Sequence, residues 1–205
     1  MNQNDQEIEA KFYLRNLEAV QERAQALGAV LLHERHLESN LRFDTPRRSL
    51  RKGGRVLRLR LPAPGGEPGA ALLTYKGAPQ PGLSASVRQE IEVTVSDLQA
   101  ARRLLNALGY HIQASYEKYR TEYRLGAVDL AFDELPYGRF VEIEAADEAE
   151  LQTAAIALGL KWEGRVLASY MGLFETLCER HNLPATHLTF GVGLDIAELG
   201  LLPAD

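Results

Sequence analysis

The sequence predicts an α+β fold in which strands curl into a closed or nearly closed barrel around a charged lumen, with helices packed outside. Polar and apolar residues alternate with period two in eight separate stretches, which sets successive side chains on opposite faces of a strand. Between these stretches, apolar residues recur at helical spacing. Nearly every strand has one ionic and one greasy face, and the ionic residues are grouped by sign.

The first strand is expected at Glu7–Leu14, with Glu7, Glu9 and Lys11 on one face and Ile8, Ala10 and Phe12 on the other. A helix follows from Asn16 or Leu17 to Leu27, striped by Leu17, Val20, Ala24 and Leu27. Four strands come next, at Val30–Arg42, Val56–Leu61, Leu72–Lys76 and Val87–Val95. Arg58 and Arg60 oppose Leu57, Leu59 and Leu61, while Arg88, Glu90 and Glu92 oppose Ile91, Val93 and Val95. A second helix runs from Ser96 or Asp97 to Leu108, with Ser96 as the expected cap. The last strands, Tyr116–Tyr123, Val128–Glu134 and Arg139–Ala145, carry Lys118, Arg120 and Glu122, then Asp129 and Asp133, then Glu142 and Glu144. Two more helices are expected at Asp147–Leu158 and Leu167–Arg180. The first three helices end in Ala-Leu-Gly, at Gly28, Gly109 and Gly159, where glycine supplies a left-handed stop. The Pro/Gly-rich stretches Pro62–Ala71 and Gly77–Gly82 read as surface loops joining hairpin strands.

The chain has 205 residues, 45% of them hydrophobic and 25% charged, with a formal net charge of −5. That composition fits a folded chain and excludes disorder as its main state. No stretch approaches the roughly 18 consecutive apolar residues that span a bilayer, so no membrane association is expected. The single cysteine, Cys178, forms no internal disulfide and no thiolate cage, and the cytoplasm is the expected compartment. Mild overall acidity argues against nucleic acid as a partner. One domain is favoured, 1–181, with 182–205 as a C-terminal appendage whose chemistry the sequence does not define.

A half-buried sheet with a wetted polar face would explain any one strand. Like charges at neighbouring positions are mildly destabilising, however. Acidic pairs at Glu7/Glu9 and Glu142/Glu144 and basic pairs at Arg58/Arg60 and Lys118/Arg120 therefore call for ligands of the opposite sign. Helices with apolar stripes must cover the greasy faces, which turns the ionic faces inward. Unpaired ions in a dry interior cost several kcal/mol each, so such a lumen holds water, ions or substrate. Clustered carboxylates suit Mg²⁺ or Mn²⁺, and clustered Arg and Lys suit phosphate oxygens. Together they suggest a polyphosphate bound with its metal.

At this point the sequence resembles a known family. Glu7-Ile8-Glu9-Ala10-Lys11 is similar to the ExExK signature of the CYTH domain, or triphosphate tunnel metalloenzyme, family. It is followed in order by Phe43-Asp44-Thr45-Pro46, Leu57-Arg58-Leu59-Arg60, Thr74-Tyr75-Lys76, Arg88-Gln89-Glu90, Lys118-Tyr119-Arg120, Asp133, Gly138-Arg139-Phe140-Val141-Glu142-Ile143-Glu144 and Ser169-Tyr170. The series covers Glu7 to Tyr170. Two departures stand out: Arg42-Phe43 occupies the place of an aromatic pair, and Pro136-Tyr137-Gly138 replaces a Leu-Gly turn. The resemblance implies an eight-stranded antiparallel β-barrel forming a tunnel, with metal-dependent chemistry on a triphosphate-containing small molecule.

By the same resemblance, Lys11, Arg58, Arg60, Lys76, Arg88, Lys118 and Arg120 are expected to bind substrate, and Glu7, Glu9, Asp133, Glu142 and Glu144 the divalent cation. Lys11, Glu9 and Lys118 are the expected catalytic residues. Glu90 and Glu92 are left between metal and ordinary ion pairs, Tyr170 between tunnel mouth and core. Asp44 and Thr45 read as a turn, and the five histidines lack ligand spacing. The preferred function is a metal-dependent triphosphatase acting on inorganic or organic triphosphate. The alternatives are a class IV-type adenylate cyclase and a non-catalytic polyphosphate-binding module. Apolar outer faces on the final helices are compatible with a homodimer and equally with helices that cover a barrel.

Overall fold

The computed structural model describes residues 6–61, 70–82, 85–191 and 193–205. Its strands are β1 (Gln6–Leu14), β2 (Val30–Asp44), β3 (Val56–Leu61), β4 (Ala71–Lys76), β5 (Ser86–Val95), β6 (His111–Leu125), β7 (Val128–Leu135), β8 (Gly138–Glu144) and a short β9 (His187–Leu188). Its helices are α1 (Leu17–Ala26), a single turn α2 (Ser49–Lys52), α3 (Leu98–Ala107), α4 (Glu148–Ala157) and α5 (Tyr170–His181). All eight expected strands and four expected helices form, the largest difference being β6, which begins five residues earlier. The expected loop Pro62–Ala71 lies outside the described residues from 62 to 69.

The sheet runs β2-β3-β4-β5-β1-β8-β7-β6 and closes on itself by pairing β2 with β6, every pair antiparallel. β9 adds in parallel to β6. Because strand side chains alternate, each ionic face turns into the ring and each greasy face out. α1 and α4 cover the outer faces of β1, β7 and β8, burying Phe12, Leu130, Val141 and Ile143 against Val20, Ala24, Leu151 and Ala155. α3 covers β2 to β4 through Ala101 and Leu105 on Phe43 and Leu59. At one end α5 closes over the ring, packing Tyr170, Phe174 and Leu177 with Tyr137 and Phe140.

The caps explain where the helices begin. Asn16, Asp147 and Ser169 accept the backbone N–H of Ala19, Glu150 and Gly172, as N-caps do. Asp97, not Ser96, caps α3, accepting from Ala100 N–H at 2.9 Å. Ser169 sets the start of α5 at Tyr170, three residues later than the expected Leu167. Gly28, Gly109 and Gly159 adopt φ of +91°, +87° and +77°, the left-handed stop that the repeated Ala-Leu-Gly predicts.

The C-terminal segment docks on the ring. Ile196 and Ala204 are fully buried, and their N–H groups donate to the carbonyls of Tyr137 and Tyr13. The side chain of Asp205 accepts the N–H groups of Arg15 and Asn16 ahead of α1. Among the described residues no helix is long and apolar enough to cross a membrane.

Candidate active site

The inward faces enclose a cavity of about 600 Å³ that runs between the strands. Its wall follows from strand register. Lys11 lies opposite Glu142 and Glu9 opposite Glu144 on β1 and β8; Glu7 faces Arg88 on β5; Arg42 faces Arg58 on β3. Of the twelve residues expected at the site, all but Asp133 line this cavity. Tyr170, at the start of α5, lines it too, with the ammonium of Lys11 4.0 Å above its ring.

Most of the cations are held by carboxylates. Lys11 Nζ is 3.1 Å from Glu142, and Lys76 Nζ is 2.5 Å from Glu7 and 3.2 Å from Glu90. Arg88 sits within 3.9 Å of Glu7 and 3.8 Å of Glu9. Glu92 instead accepts a 2.7 Å hydrogen bond from Thr74. These pairs lower the cost of collecting so many ions in one interior.

Asp133, expected among the metal ligands, is placed behind the wall with no exposure. Its two oxygens accept four hydrogen bonds: from Lys118 Nζ at 3.0 Å, Arg120 Nε and Nη2 at 2.7 and 2.6 Å, and Tyr170 Oη at 2.8 Å. In this arrangement the carboxylate is held by two cations and a hydroxyl and does not line the cavity. Glu38, which the sequence reading left unassigned, plays the same part on β2. It is fully buried, 3.1 Å from Arg60 Nη1 and 3.6 Å from Lys118 Nζ. Burial would raise its pKa, but Lys118, Arg120, His36 and Arg60 hold it well below the carboxylate range.

Elsewhere, local roles prevail. Asp44 accepts the N–H groups of Thr45, Leu50 and Arg51 and fixes the α2 turn. His33 contacts Glu122, His181 contacts Glu198 and His187 contacts Ser115. Arg124 and Asp129 form an exposed bidentate pair.

The four carboxylates of β1 and β8 are the crowded ones. Glu9 is raised by burial and then by Glu142 and Glu7. Glu144, although exposed as a residue, is pushed up to about 7 by the protein around its carboxyl and then by Glu7. Glu142 goes the other way: burial is outweighed by Lys11, Arg120 and Lys118, which hold it well below the usual range. Glu7 Oε2 is buried and has no hydrogen-bond partner among the described residues. Hard oxygen donors, two of them strained by one another's charge and one lacking a donor, fit a divalent cation. Among the described residues no three of them converge on one point as they stand, because lysines and arginines lie between them.

The raised pKa of Glu144 gives a pH signature. Its folded-state pKa lies above the unfolded value, so it stabilises the metal-free fold below about pH 4.5 and that stability is lost as pH rises towards 7. A bound cation removes the proton and offsets the loss. Thermal melts are expected to show a larger gain in Tm from Mg²⁺ or Mn²⁺ at pH 8 than at pH 5.5; an equal gain at both would exclude Glu144 from the metal site.

A family model described as CYTH domain matches residues 5–166. The chain is 30% identical over 184 residues to a protein named adenylate cyclase CyaB from Aeromonas hydrophila, covering 85% of this chain and 89% of that one. Among solved structures, a candidate adenylate cyclase from Vibrio parahaemolyticus is similar with a TM-score of 0.69 and 25% identity, covering 80% of this chain and 94% of that chain. HpAC1 from Hippeastrum, described as an adenylyl cyclase candidate with a dominant triphosphatase activity, is similar with a TM-score of 0.59, covering 83% and 95%. At 20% identity that last likeness is one of fold alone.

Proposed function

The chain belongs to the CYTH domain family, and from that premise we propose that it is a divalent-metal-dependent triphosphatase that splits inorganic or organic triphosphate inside its ring. One observation carries the reading: cations and crowded carboxylates share the wall of a single cavity of about 600 Å³. Phosphoryl transfer is achieved chiefly by positioning and charge neutralisation, which this wall is composed to supply.

Lys11, Arg58, Arg60, Lys76, Arg88, Lys118 and Arg120 hold the phosphate oxygens. Glu7, Glu9, Glu142 and Glu144 would hold Mg²⁺ or Mn²⁺, which when bound neutralises phosphate charge and polarises the reacting phosphoryl group. Binding is an exchange of partners. Lys11, Lys76 and Arg88 leave carboxylates for phosphate oxygens, and the released carboxylates are then free for the cation. Asp133 and Glu38 stay behind as positioning residues that keep Lys118, Arg120 and Arg60 aimed at the cavity. In the reaction a water oxygen bonds to the terminal phosphorus, the bridging P–O bond breaks with its electron pair going to the departing phosphate oxygen, the proton lost by the water passes to that oxygen or to solvent, and orthophosphate and the shortened phosphate leave.

A second reading, a class IV-type adenylate cyclase, is favoured by the CyaB-named relative. It uses the same wall but directs the ribose 3′-oxygen at the α-phosphorus. Product analysis separates them. Purified protein is incubated with inorganic triphosphate, ATP or thiamine triphosphate in Mg²⁺ or Mn²⁺, with a chelator control. Orthophosphate that disappears with chelation is expected. Cyclic AMP matched by pyrophosphate would replace the first reading with the second, and tight binding without turnover would leave a binding module.

A further inference from the structure

The cavity is not electrically uniform. Lys11, Lys76, Arg60, Arg88, Lys118 and Arg120 each have a carboxylate within 4 Å. Arg42 and Arg58 have none among the described residues. Arg58 donates only to neutral groups, Tyr116 Oη at 3.3 Å and Thr74 Oγ1 at 3.5 Å. Arg42 faces it directly across β2 and β3, a like-charge pairing that is unfavourable unless something anionic joins it. Burial, with Arg58 and Arg51 nearby, pulls the Arg42 guanidinium below its ordinary value. Beside this pair on β2, the side chain of Asn40 is completely buried with neither its amide nitrogen nor its oxygen hydrogen-bonded among the described residues. The Arg58 Nε is likewise unpartnered.

Arg42 also lines a second cavity of about 300 Å³ at the end of the ring where β2 finishes and β3 begins. The two cavities share Arg42, Val56, Arg88, Ser169 and Met171 in their linings, so they adjoin. The second has a mixed lining, with apolar Val56, Pro79, Leu167 and Met171 beside cationic Arg48, Arg51 and Arg55 and the carboxylate of Glu175. Its size lies at the lower end of small-ligand sites, about 300–1,000 Å³. The charges that act on Arg42 are Tyr116, Glu175, Arg58 and Arg51, whereas Glu9 is acted on by Glu142, Glu7, Lys76 and Lys11, and Glu144 by Glu7, Lys76, Glu9 and Asp129. One zone of the tunnel is thus rich in carboxylate and the other is cationic, next to an amphipathic chamber.

We propose that Arg42 reads the substituted end of an organic triphosphate, binding the phosphate that carries the ester so that its organic group enters the second cavity. The inference rests on the triphosphate reading of the site and gives it a direction: the free terminal phosphoryl lies at the carboxylates of β1 and β8, and the esterified phosphorus lies at Arg42 and Arg58. Cleavage then releases orthophosphate from the free end, away from the organic group.

Binding measured without turnover tests this. Titration calorimetry with Mg²⁺ compares a β,γ-imido ATP analogue with inorganic triphosphate, using the wild type, Arg42→Gln and Arg42→Lys. The preference for the nucleotide over triphosphate is expected to fall about tenfold in Arg42→Gln, the loss of one charge-assisted contact, and to recover in part in Arg42→Lys. Equal weakening of both ligands, or no change in the preference, overturns the assignment of Arg42. A wild type that binds triphosphate and not the analogue overturns the role of the second cavity while leaving the triphosphate site intact. Failure to bind either ligand counts against the proposed function itself and takes this inference with it.

Discussion

Replacing Asp133 by alanine is expected to lower the stability of the metal-free protein by about 3–5 kcal/mol, the usual effect of removing one partner from a buried ionic group. Asp133 has no exposure and compensates Lys118 and Arg120, themselves 2% and 9% exposed, while accepting from the Tyr170 hydroxyl. Without it, among the described residues, Lys118 keeps the carboxylate of Glu38 at 3.6 Å, and Arg120 keeps Glu142 at 2.6 Å and Glu122 at 4.0 Å. Urea denaturation in chelator reads the effect as a lower midpoint at similar slope. An unchanged midpoint would mean that Asp133 is not an anchor, and would return it to the metal ligands.

Glu9→Gln is expected to do the opposite. The Glu9 carboxyl is already disfavoured by burial and by Glu142 and Glu7, and its ion pair with Arg88 is long at 3.8 Å. Neutralising it removes repulsion, so the metal-free midpoint should hold or rise. Turnover should fall about 10²–10³-fold, as when one preorganised electrostatic group is lost from a reacting centre. Steady-state kinetics on inorganic triphosphate checks this beside the same urea titration. Retained turnover would remove Glu9 from the site; loss of turnover with loss of stability would make it structural. The contrast separates two carboxylates that look alike in sequence, since stability and activity diverge at functional positions and coincide at structural ones.

Most strands were legible because one face is apolar and alternates cleanly, as in Ile8, Ala10 and Phe12 or Leu57, Leu59 and Leu61. The helix stops were legible from Ala-Leu-Gly. Glu38 was not, for a physical reason: in Val30–Asp44 the charged residues His33 to His36 fall on both faces, and the pairing with β6 slips between Leu31 and His33 and between His33 and His36. Alternation cannot assign an inward face across such irregularities. Asp133 was legible as an inward carboxylate, but its depth depends on α5 bringing Tyr170 beneath it from 37 residues away. Arg42 was visible as a departure from the resemblance; its lack of a carboxylate partner appears only once the ring is closed. Ser96 and Asp97 are both competent caps, and the hydrogen bond that the Asp97 side chain accepts from Ala100 N–H decides between them.

The pairing of β2 with β6, which shuts the ring, also governs how the chain reaches its fold. It joins Val30–Asp44 to His111–Leu125, segments with three strands and two helices between them in the chain, so it must overcome a large closure entropy. The charged interior offers no apolar reward for collapse, so the driving force comes from the outer clusters under α1, α3, α4 and α5. Until the seam zips, two long strand edges lie open to pairing with other chains; afterwards those two edges pair with each other. Aggregation during refolding should therefore depend on how fast that pairing forms, and conditions that favour β2–β6 closure should protect the protein more than those that merely strengthen its core.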